Sequence, residues 1–430
     1  MWWLYACTPS PPAMPERAVE APPPPVGEIS GAALQDPTGF PRFHSHPAPA
    51  GPAPDPAGAW SAPSRLSAEE GGLRPQIASG PDGTLHVVYY AQTSDGDLLR
   101  HRVAAPRGPC GAATPCAWSD FGPAVELGEH GGRNWGPDLV VRADGSAVVS
   151  WDHSQPEVSP AGRVMLSTFQ GGAWSEPLAL TEAGRVEVGS AHVADAGDAD
   201  LAVVWIQRLL EPGAPFVAFS RWRLGGAWQP AAPLPCPEPA GAPVREAWHT
   251  NVERAPDGSV LAGWDLGPGG GQNQVLLSAG RAGVWEAPTD ASAGQFWGER
   301  PHFAFQGARA LAAWFHRIND QPLAVYAREA DGAVQRLSGG LGGFNFDPDI
   351  AINSAGVRLA VWGWDGGGDA DLVYSLDRGQ GWSRAARVAH LADRKPGLPS
   401  LTVTPDGAFH VVWAHWVRGV SDVYYAHFTP

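Results

Sequence analysis

The chain has 430 residues, with 54 glycines, 44 prolines, 20 tryptophans against 7 tyrosines, and a formal net charge of −15. Without a long basic run it offers no phosphate-binding surface, which excludes nucleic acid as a partner, and no stretch of about 18 apolar residues can cross a membrane as a helix. Gly and Pro dispersed among many aromatics fit short strands alternating with turns.

Residues 1–7 are an apolar stub ending in cysteine, and Leu4-Tyr5-Ala6-Cys7 resembles a bacterial lipobox, which predicts lipidation at Cys7. Residues 8–57 hold 15 prolines and no periodic apolar pattern, so they read as a Pro-rich disordered tether. His44 and His46 in this tract read as solvated. A lipidated cysteine followed by a tether implies an exported, extracytoplasmic bacterial protein, in the periplasm or at the cell surface, that meets the membrane only through its lipid anchor. Cys110 and Cys116 flank a small Gly/Ala/Pro loop and are expected to form a local disulfide; Cys236 has no evident partner.

From residue 58 to 430 the sequence repeats. A strand, an Asp-Gly turn and a β-branched strand ending in an aromatic recur, with the aromatics at Tyr89, Trp151, Trp205, Trp264, Trp314, Trp362 and Trp413. Seven copies at a spacing near 50–60 residues point to a repeat architecture. Each unit adds a third strand, a turn, and a fourth strand opening with Trp, as at Trp174, Trp228, Trp285 and Trp382. The last unit stops after its third strand, Val423 to Phe428, while a fourth-type segment stands alone at Trp60. An unpaired strand at one end and a missing one at the other predict a ring closed by the termini. The expected fold is therefore all-β, a seven-bladed β-propeller of four-stranded blades closed by the N-terminal strand; a two-sheet sandwich is the alternative.

The turn Ser375-Leu-Asp377-Arg-Gly379-Gln-Gly381-Trp382 resembles the Asp-box of the sialidases and other Asp-box (BNR) propellers, with Gly381 in place of Thr. Degenerate copies run from Ser167 to Trp174 and from Ser278 to Trp285 without the Asp. The resemblance covers about residues 59–430 and implies that Asp377 is structural, because Asp-boxes lie on the face away from the sialidase active site.

In such a fold the long loops share one face, and there the sequence collects residues suited to sugars, with aromatic faces for C–H surfaces and planar polar groups for hydroxyls and carboxylates. The candidates are Arg74, Arg133, Asn134, Trp135, Asp152, Trp248, His249, Trp297, Glu299, Arg300, His316, Trp364, Asp365, His415 and Trp416. Leu73-Arg74-Pro75 is similar to the Phe-Arg-Ile-Pro that begins the first blade of sialidases. That resemblance implies an arginine triad of Arg74, Arg245 and Arg300, with Glu246 or Glu299 nearby and Asp97 or Asp95 as the acid. The family's tyrosine nucleophile has no clear counterpart: Phe344 and Phe346 stand where one is expected, and Tyr89 and Tyr90 end a strand. The family's enzymes also have six blades where seven are counted here.

Asp195, Asp198, Asp200, Asp369 and Asp371 give short-spaced carboxylates, but too few ligands from one loop for calcium unaided, so no cofactor and no metal is expected. The expected function is non-catalytic binding of a glycan or protein partner by a monomer. An exo-sialidase or related glycoside hydrolase is one alternative, and a scaffold subunit of a surface complex another.

Overall fold

The computed structural model describes residues 51–52 and 60–430, apart from 68–70, 94–95, 110, 112–113, 129–131, 156–160, 183, 198–199, 238–244, 268–272, 294–297, 317–322, 331, 368–369, 392–394 and 418–419. The expectations for Cys7, the two histidines of the tether, Asp95, Cys110, Asp198, Trp297 and Asp369 lie outside the described residues.

Seven antiparallel sheets follow one another along the chain. Their first strands are Leu73–Ser79, Arg133–Val141, Val186–Gly197, Glu246–Arg254, Gly298–Gln306, Phe344–Ile352 and Lys395–Val403, and they define blades 1 to 7. Each first strand neighbours that of the next sheet, and the last returns to the first, so the seven enclose an axis. The fold is a seven-bladed propeller.

Local chemistry accounts for the repeat. At the turn joining the first and second strands, Asp82, Asp144 and Asp257 each accept a hydrogen bond from the backbone N–H two residues on, at 2.9 Å. The glycines between, Gly83, Gly145 and Gly258, sit at φ +85°, +81° and +81°, where a Cβ is strained. The repeat-ending aromatics all lie in the core, none more than 2 % exposed. They hold blade against blade and leave the surface to other residues.

Ring closure takes the expected form. Ser64 pairs with Tyr425 and Arg65 with Tyr424, and Trp60 bridges to Phe428. The Ser61 N–H donates to the His427 carbonyl at 2.9 Å and the Leu66 N–H to that of Val423 at 2.7 Å.

Two features depart from the expected plan. The fourth strands of blades 2, 3 and 4 are split into two-residue pieces, as in Ala173–Trp174 and Leu178–Ala179. Pro177, Pro230 and Pro288 fall between the pieces, and a residue without an N–H interrupts the ladder. The connection between the third and fourth strands of blade 1 is also long, spanning 105–124, whereas the matching turns of blades 2, 3 and 4 take two residues. It folds over the closure seam: the Cys116 N–H donates to Asp406 at 2.7 Å, and Trp118 Nε1 donates to the Gly83 carbonyl at 2.9 Å. Trp118 and Phe121 pack edge-on against His410 and Tyr425, at 4.4 and 5.1 Å.

Candidate functional site

Every first strand breaks register near its start by a bulge of two residues, and that of blade 3 shifts a second time between Asp195 and Gly197. The leading residues are Arg74, Gly136, Ser190, Trp248, Arg300, Asp347 and Leu398, one from each blade. Six of the seven have φ between +46° and +55°, and five precede a proline. For a residue with a Cβ this conformation costs roughly 1–2 kcal/mol. A strained backbone kept at the same place in ring order marks a feature held by its surroundings. The seven form one ring around the axis, carrying two arginines, one aspartate, one tryptophan and one glycine.

The ring converges. Arg300 and Asp347 come from blades 5 and 6, yet both act electrostatically on Arg74 of blade 1: burial and then Arg300 lower its pKa, while Tyr90, Asp347 and Asp152 raise it. Arg300 Nη1 donates to Asp347 Oδ1 at 2.5 Å, whereas Asp347 Oδ2 is buried with no hydrogen-bond partner among the described residues. Arg74 makes no hydrogen bond to a described residue. Its guanidinium lies 5.5 Å over the Trp135 ring, with that of Arg133 at 5.9 Å.

Gly136 leaves a notch beside this guanidinium. A Cβ there would sit 3.6 Å from Arg74 Nη1 and 3.7 Å from Asp152 Oδ2. Burial pushes the Asp152 carboxyl up to about 7, against the pull of Arg74 and of the Ser190 and Ala191 amides. Its Oδ1 is buried and unpartnered among the described residues. The wall continues through Tyr90, which stacks on Trp135 at 5.7 Å and is pushed up to about 12 by burial, with Arg74 opposing. Asp97 is also raised by burial, with Arg133 and the Trp135 indole opposing. Sequence reading set Tyr90 aside as a strand-end residue; it lies inside Leu85–Thr93, one residue past the repeat-ending aromatic, the same place that Asp152 holds in blade 2.

One layer further along the axis the bulges are followed by Gln76, Asp138, His192, Thr250, His302, Asp349 and Ser400. Three of these side chains cap N–H groups of the next blade: Asp138 accepts from Val193 at 2.8 Å, Asp349 from Leu401 at 2.6 Å and Ser400 from Ile77 at 3.2 Å. Deeper still, Glu253 is exposed to the channel but crowded by the ring, and desolvation there, followed by Asp138 and Asp349, raises it well above the usual carboxylate range. Three carboxylates from blades 2, 4 and 6 thus face one another across an acidic channel beneath a mouth that carries both arginines.

The expected site residues divide sharply. Arg74, Arg133, Trp135, Asp152, Trp248 and Arg300 stand at or beside the mouth. Asn134 is fully buried: its Nδ2 donates to the Asp97 carbonyl at 2.6 Å and its Oδ1 accepts from Trp151 Nε1 at 2.9 Å. Asn345 repeats this clamp in blade 6, to the Leu323 carbonyl and from Trp362 Nε1. Trp364 is 3 % exposed and donates to the Gly342 carbonyl. His415 is buried against Tyr424, and His316 is buried against Tyr326 and pushed down to about 4 by burial. Asp365 takes Lys395 and the Gly367 N–H, and half-buried Trp416 packs on the core of blades 1 and 2. The His249 ring nitrogen lies 3.2 Å from both oxygens of the fully buried Asp265. Glu299 is half-buried one residue before the bulge of blade 5.

Arg245 donates to Gln274 Oε1 and the Leu266 carbonyl, both at 2.7 Å, inside its own blade. Its neighbour Glu246 is half-buried at the same strand end, paired across to Gly267. Neither belongs to the group around Arg74 among the described residues, so the triad implied by resemblance is met here by two members. Of the carboxylates weighed for calcium, Asp195 takes Arg142 and Arg254, Asp371 takes Arg387 and His390, and Asp200 accepts the Gly225 N–H.

The opposite face carries an open depression of about 360 Å³ between the turns of blades 1, 2, 6 and 7, lined by Pro81, Val141, Arg142, Ser354 and Pro405 among others. On that face Asp377 accepts the N–H groups of Gly379, Gln380 and Gly381. The hydroxyls of Ser167, Ser278 and Ser375 each donate at 2.7 Å to the carbonyl eight residues on, which closes three equivalent turns. Cys116 and Cys236 are both disulfide-bonded. Cys236 thus has the partner that its sequence context did not show.

No protein-family model and no curated protein matches the chain. Solved structures match it on fold. A protein of unknown function from Dyadobacter fermentans DSM 18053 superposes with a TM-score of 0.52 at 12% identity, over 86% of this chain and 99% of that one. A Trypanosoma rangeli sialidase in complex with sialic acid gives 0.50 at 11% identity, over 81% of this chain and 59% of its own. The chain thus spans about three-fifths of the sialidase's length. At such identity the shared property is the sialidase-like propeller fold.

Proposed function

We propose that this chain, a seven-bladed propeller with the fold of the sialidases, binds an acidic glycan at the mouth of its long-loop face without turning it over. The observation that carries this reading is Arg74. A largely enclosed guanidinium, held on a strained bulge over Trp135 and unbonded to any described residue, has donors to give to a ligand carboxylate. Arg300 adds charge from across the axis, and Trp135 supplies an aromatic wall.

Isothermal titration with acidic sugars tests the reading. Wild-type protein binds at least one of them, and Arg74→Ala loses that binding at least tenfold while its unfolding midpoint stays within a few degrees. Unchanged binding in that variant, or a glycan array blank at high protein concentration, counts against it and favours a protein partner or a scaffold role.

One observation favours a hydrolytic reading: Asp152, at about 7, is poised between acid and base at neutral pH. Turnover of a fluorogenic sialoside that disappears in Asp152→Asn is the result that would establish it over binding alone.

The turn at Asp377 supports assignment to the Asp-box propellers. Disulfides at Cys116 and Cys236 support an extracytoplasmic location. Attachment through Cys7 and the tether of residues 8–57 has a competitor, because Cys7 is one of three cysteines with which Cys236 can pair. Palmitate labelling lost on Cys7→Ala supports the anchor, and a peptide map that finds Cys7 in a disulfide removes it.

A further inference from the structure

Asp347 leads the bulge of blade 6 at φ +49° and is 5 % exposed. Three groups fix where its carboxylate lies. Arg300 of blade 5, itself at φ +53°, donates to Oδ1 at 2.5 Å. Arg74 of blade 1 has its pKa raised by Asp347, and so has His302 one layer further along the axis. The carboxylate therefore faces the axis, within electrostatic reach of both guanidiniums, and strained backbone in two blades serves to bring it there. Its Oδ2 is buried and has no hydrogen-bond partner among the described residues. The neighbouring ring members do not supply one. Leu398, which leads the bulge of blade 7 between Asp347 and Arg74, has no side-chain donor, and Arg300 already donates to Oδ1. A fixed acceptor kept from water and given no donor is uncommon in a folded protein and requires an explanation.

Charge decides which donor fits. Arg74 and Arg300 already repel one another, because Arg300 lowers the Arg74 pKa, and an ammonium at Oδ2 would be a third cation in the same space. The charge of Asp347 is met through Oδ1. A hydroxyl satisfies Oδ2 without adding charge. Resting on the proposal that Arg74 takes a ligand carboxylate, we infer that Asp347 Oδ2 accepts a hydrogen bond from a hydroxyl close to that carboxylate. Asp347 is then the specificity-determining residue of the mouth. Its ligand is a hydroxylated sugar acid, while plain carboxylic acids and amino acids are rejected. An acid that lacks the hydroxyl fills the mouth but leaves the buried oxygen unpaired, and it is this penalty that discriminates.

The experiment titrates four small acids by ligand-observed NMR, which reads weak binding. Sialic acid and galacturonic acid are compared with tetrahydropyran-2-carboxylate, a ring and carboxylate without hydroxyls, and with piperidine-2-carboxylate, which carries an ammonium in the ring. Wild-type protein binds at least one sugar acid tenfold or more tightly than either bare ring. Asp347→Ala closes that gap to within threefold, and tetrahydropyran-2-carboxylate binds as well or better because an opposing charge is gone. A distorted mouth would weaken both ligands instead. Asp347→Asn keeps part of the gap, since its amide still bonds a hydroxyl oxygen; Arg74→Ala loses all binding. A gap that survives in Asp347→Ala overturns the assignment, as does a bare acid that matches the sugar acids in wild type. Tighter binding of piperidine-2-carboxylate than of the sugar acids overturns it in favour of an ammonium. If none of the four acids binds, the reading of the mouth falls and this one with it. If the bare acid binds through Arg74 and the gap is absent, only the role of Asp347 falls.

Discussion

At Asp152 and Arg74 the balance between burial and charge sets what the mouth can hold. With its carboxyl at about 7, Asp152 is largely neutral at pH 6 and ionised at pH 8. Once ionised it competes with any anionic ligand for the Arg74 guanidinium, so affinity for an acidic sugar should fall several-fold between those values. Asp152→Asn should flatten the profile, and titrations at pH 6, 7 and 8 on both proteins check it. The two clamp asparagines act on stability instead. Asn345→Ala leaves the Trp362 indole N–H without its partner in a dry interface, while the Leu323 carbonyl keeps the backbone N–H of residue 345, at a cost of about 1–3 kcal/mol in urea unfolding. In sequence Asn134 was grouped with ligand-binding residues because Arg133-Asn134-Trp135 sits at the start of a strand; alternation turns its neighbours outward and Asn134 itself inward.

At the scale of strands and turns, backbone conformation separates the functional strain from the incidental. The bulges place left-handed residues around the axis, and the Arg74, Arg300 and Asp347 side chains meet because of it. The hairpin Arg281-Ala282-Gly283-Val284 has the same local strain with no such consequence. Ala282 is at φ +49°, where blades 2 and 3 use Gly171 and Gly225. Ala282→Gly should therefore stabilise the protein by about 0.5 kcal/mol, the relief of the left-handed conformation outweighing the added chain entropy. A lower denaturation midpoint would contradict that account. The bulge positions were visible as the residues before Pro75, Pro137, Pro301, Pro348 and Pro399. Read as the start of a strand, they gave no sign that a positive φ turns them towards the axis.

For the molecule as a whole, closure and blade packing set the limits of stability. His86 and His101 are buried within 3.0 Å of each other between blades 1 and 2, and burial pushes them down to about 4 and about 3. His410, between the Tyr425 hydroxyl and Thr404 at the seam, is pushed down to about 3. Their folded values lie below the unfolded one near 6.5, so their contribution is complete above pH 6.5 and lost as pH falls towards 4. Each group costs about 1.4 kcal/mol per pH unit over that window. His302 has the opposite sign: burial lowers it, but Asp349 and its neighbours prevail and raise it, so its contribution fades as pH rises. His316 and His427 are lowered by burial as well, and with five groups against one, thermal midpoints should drop steeply from pH 6.5 to 4, less so in a His86→Phe, His101→Leu double variant. At the seam, Trp118→Ala removes the indole that covers His410 and ties the strap to Gly83. Faster hydrogen exchange in Val420–Phe428, ahead of the other blades, is the expected sign.

What the sequence by itself determined was everything that repeats: seven strand pairs, their Asp-Gly turns, the buried aromatics, and closure by the segment near Trp60. Each copy restates the same short-range chemistry, so a period can be read without knowing any contact. The site does not repeat. Arg74, Tyr90, Asp152, Arg300 and Asp347 come from four blades spread over more than 270 positions, and one bulge per blade turns the ring members among them to a common axis. Charge, burial and unpaired groups at that axis arise only when the ring closes, which is why the Tyr90 wall, the Asp152 notch and the unpaired Asp347 oxygen belong to the tertiary structure alone.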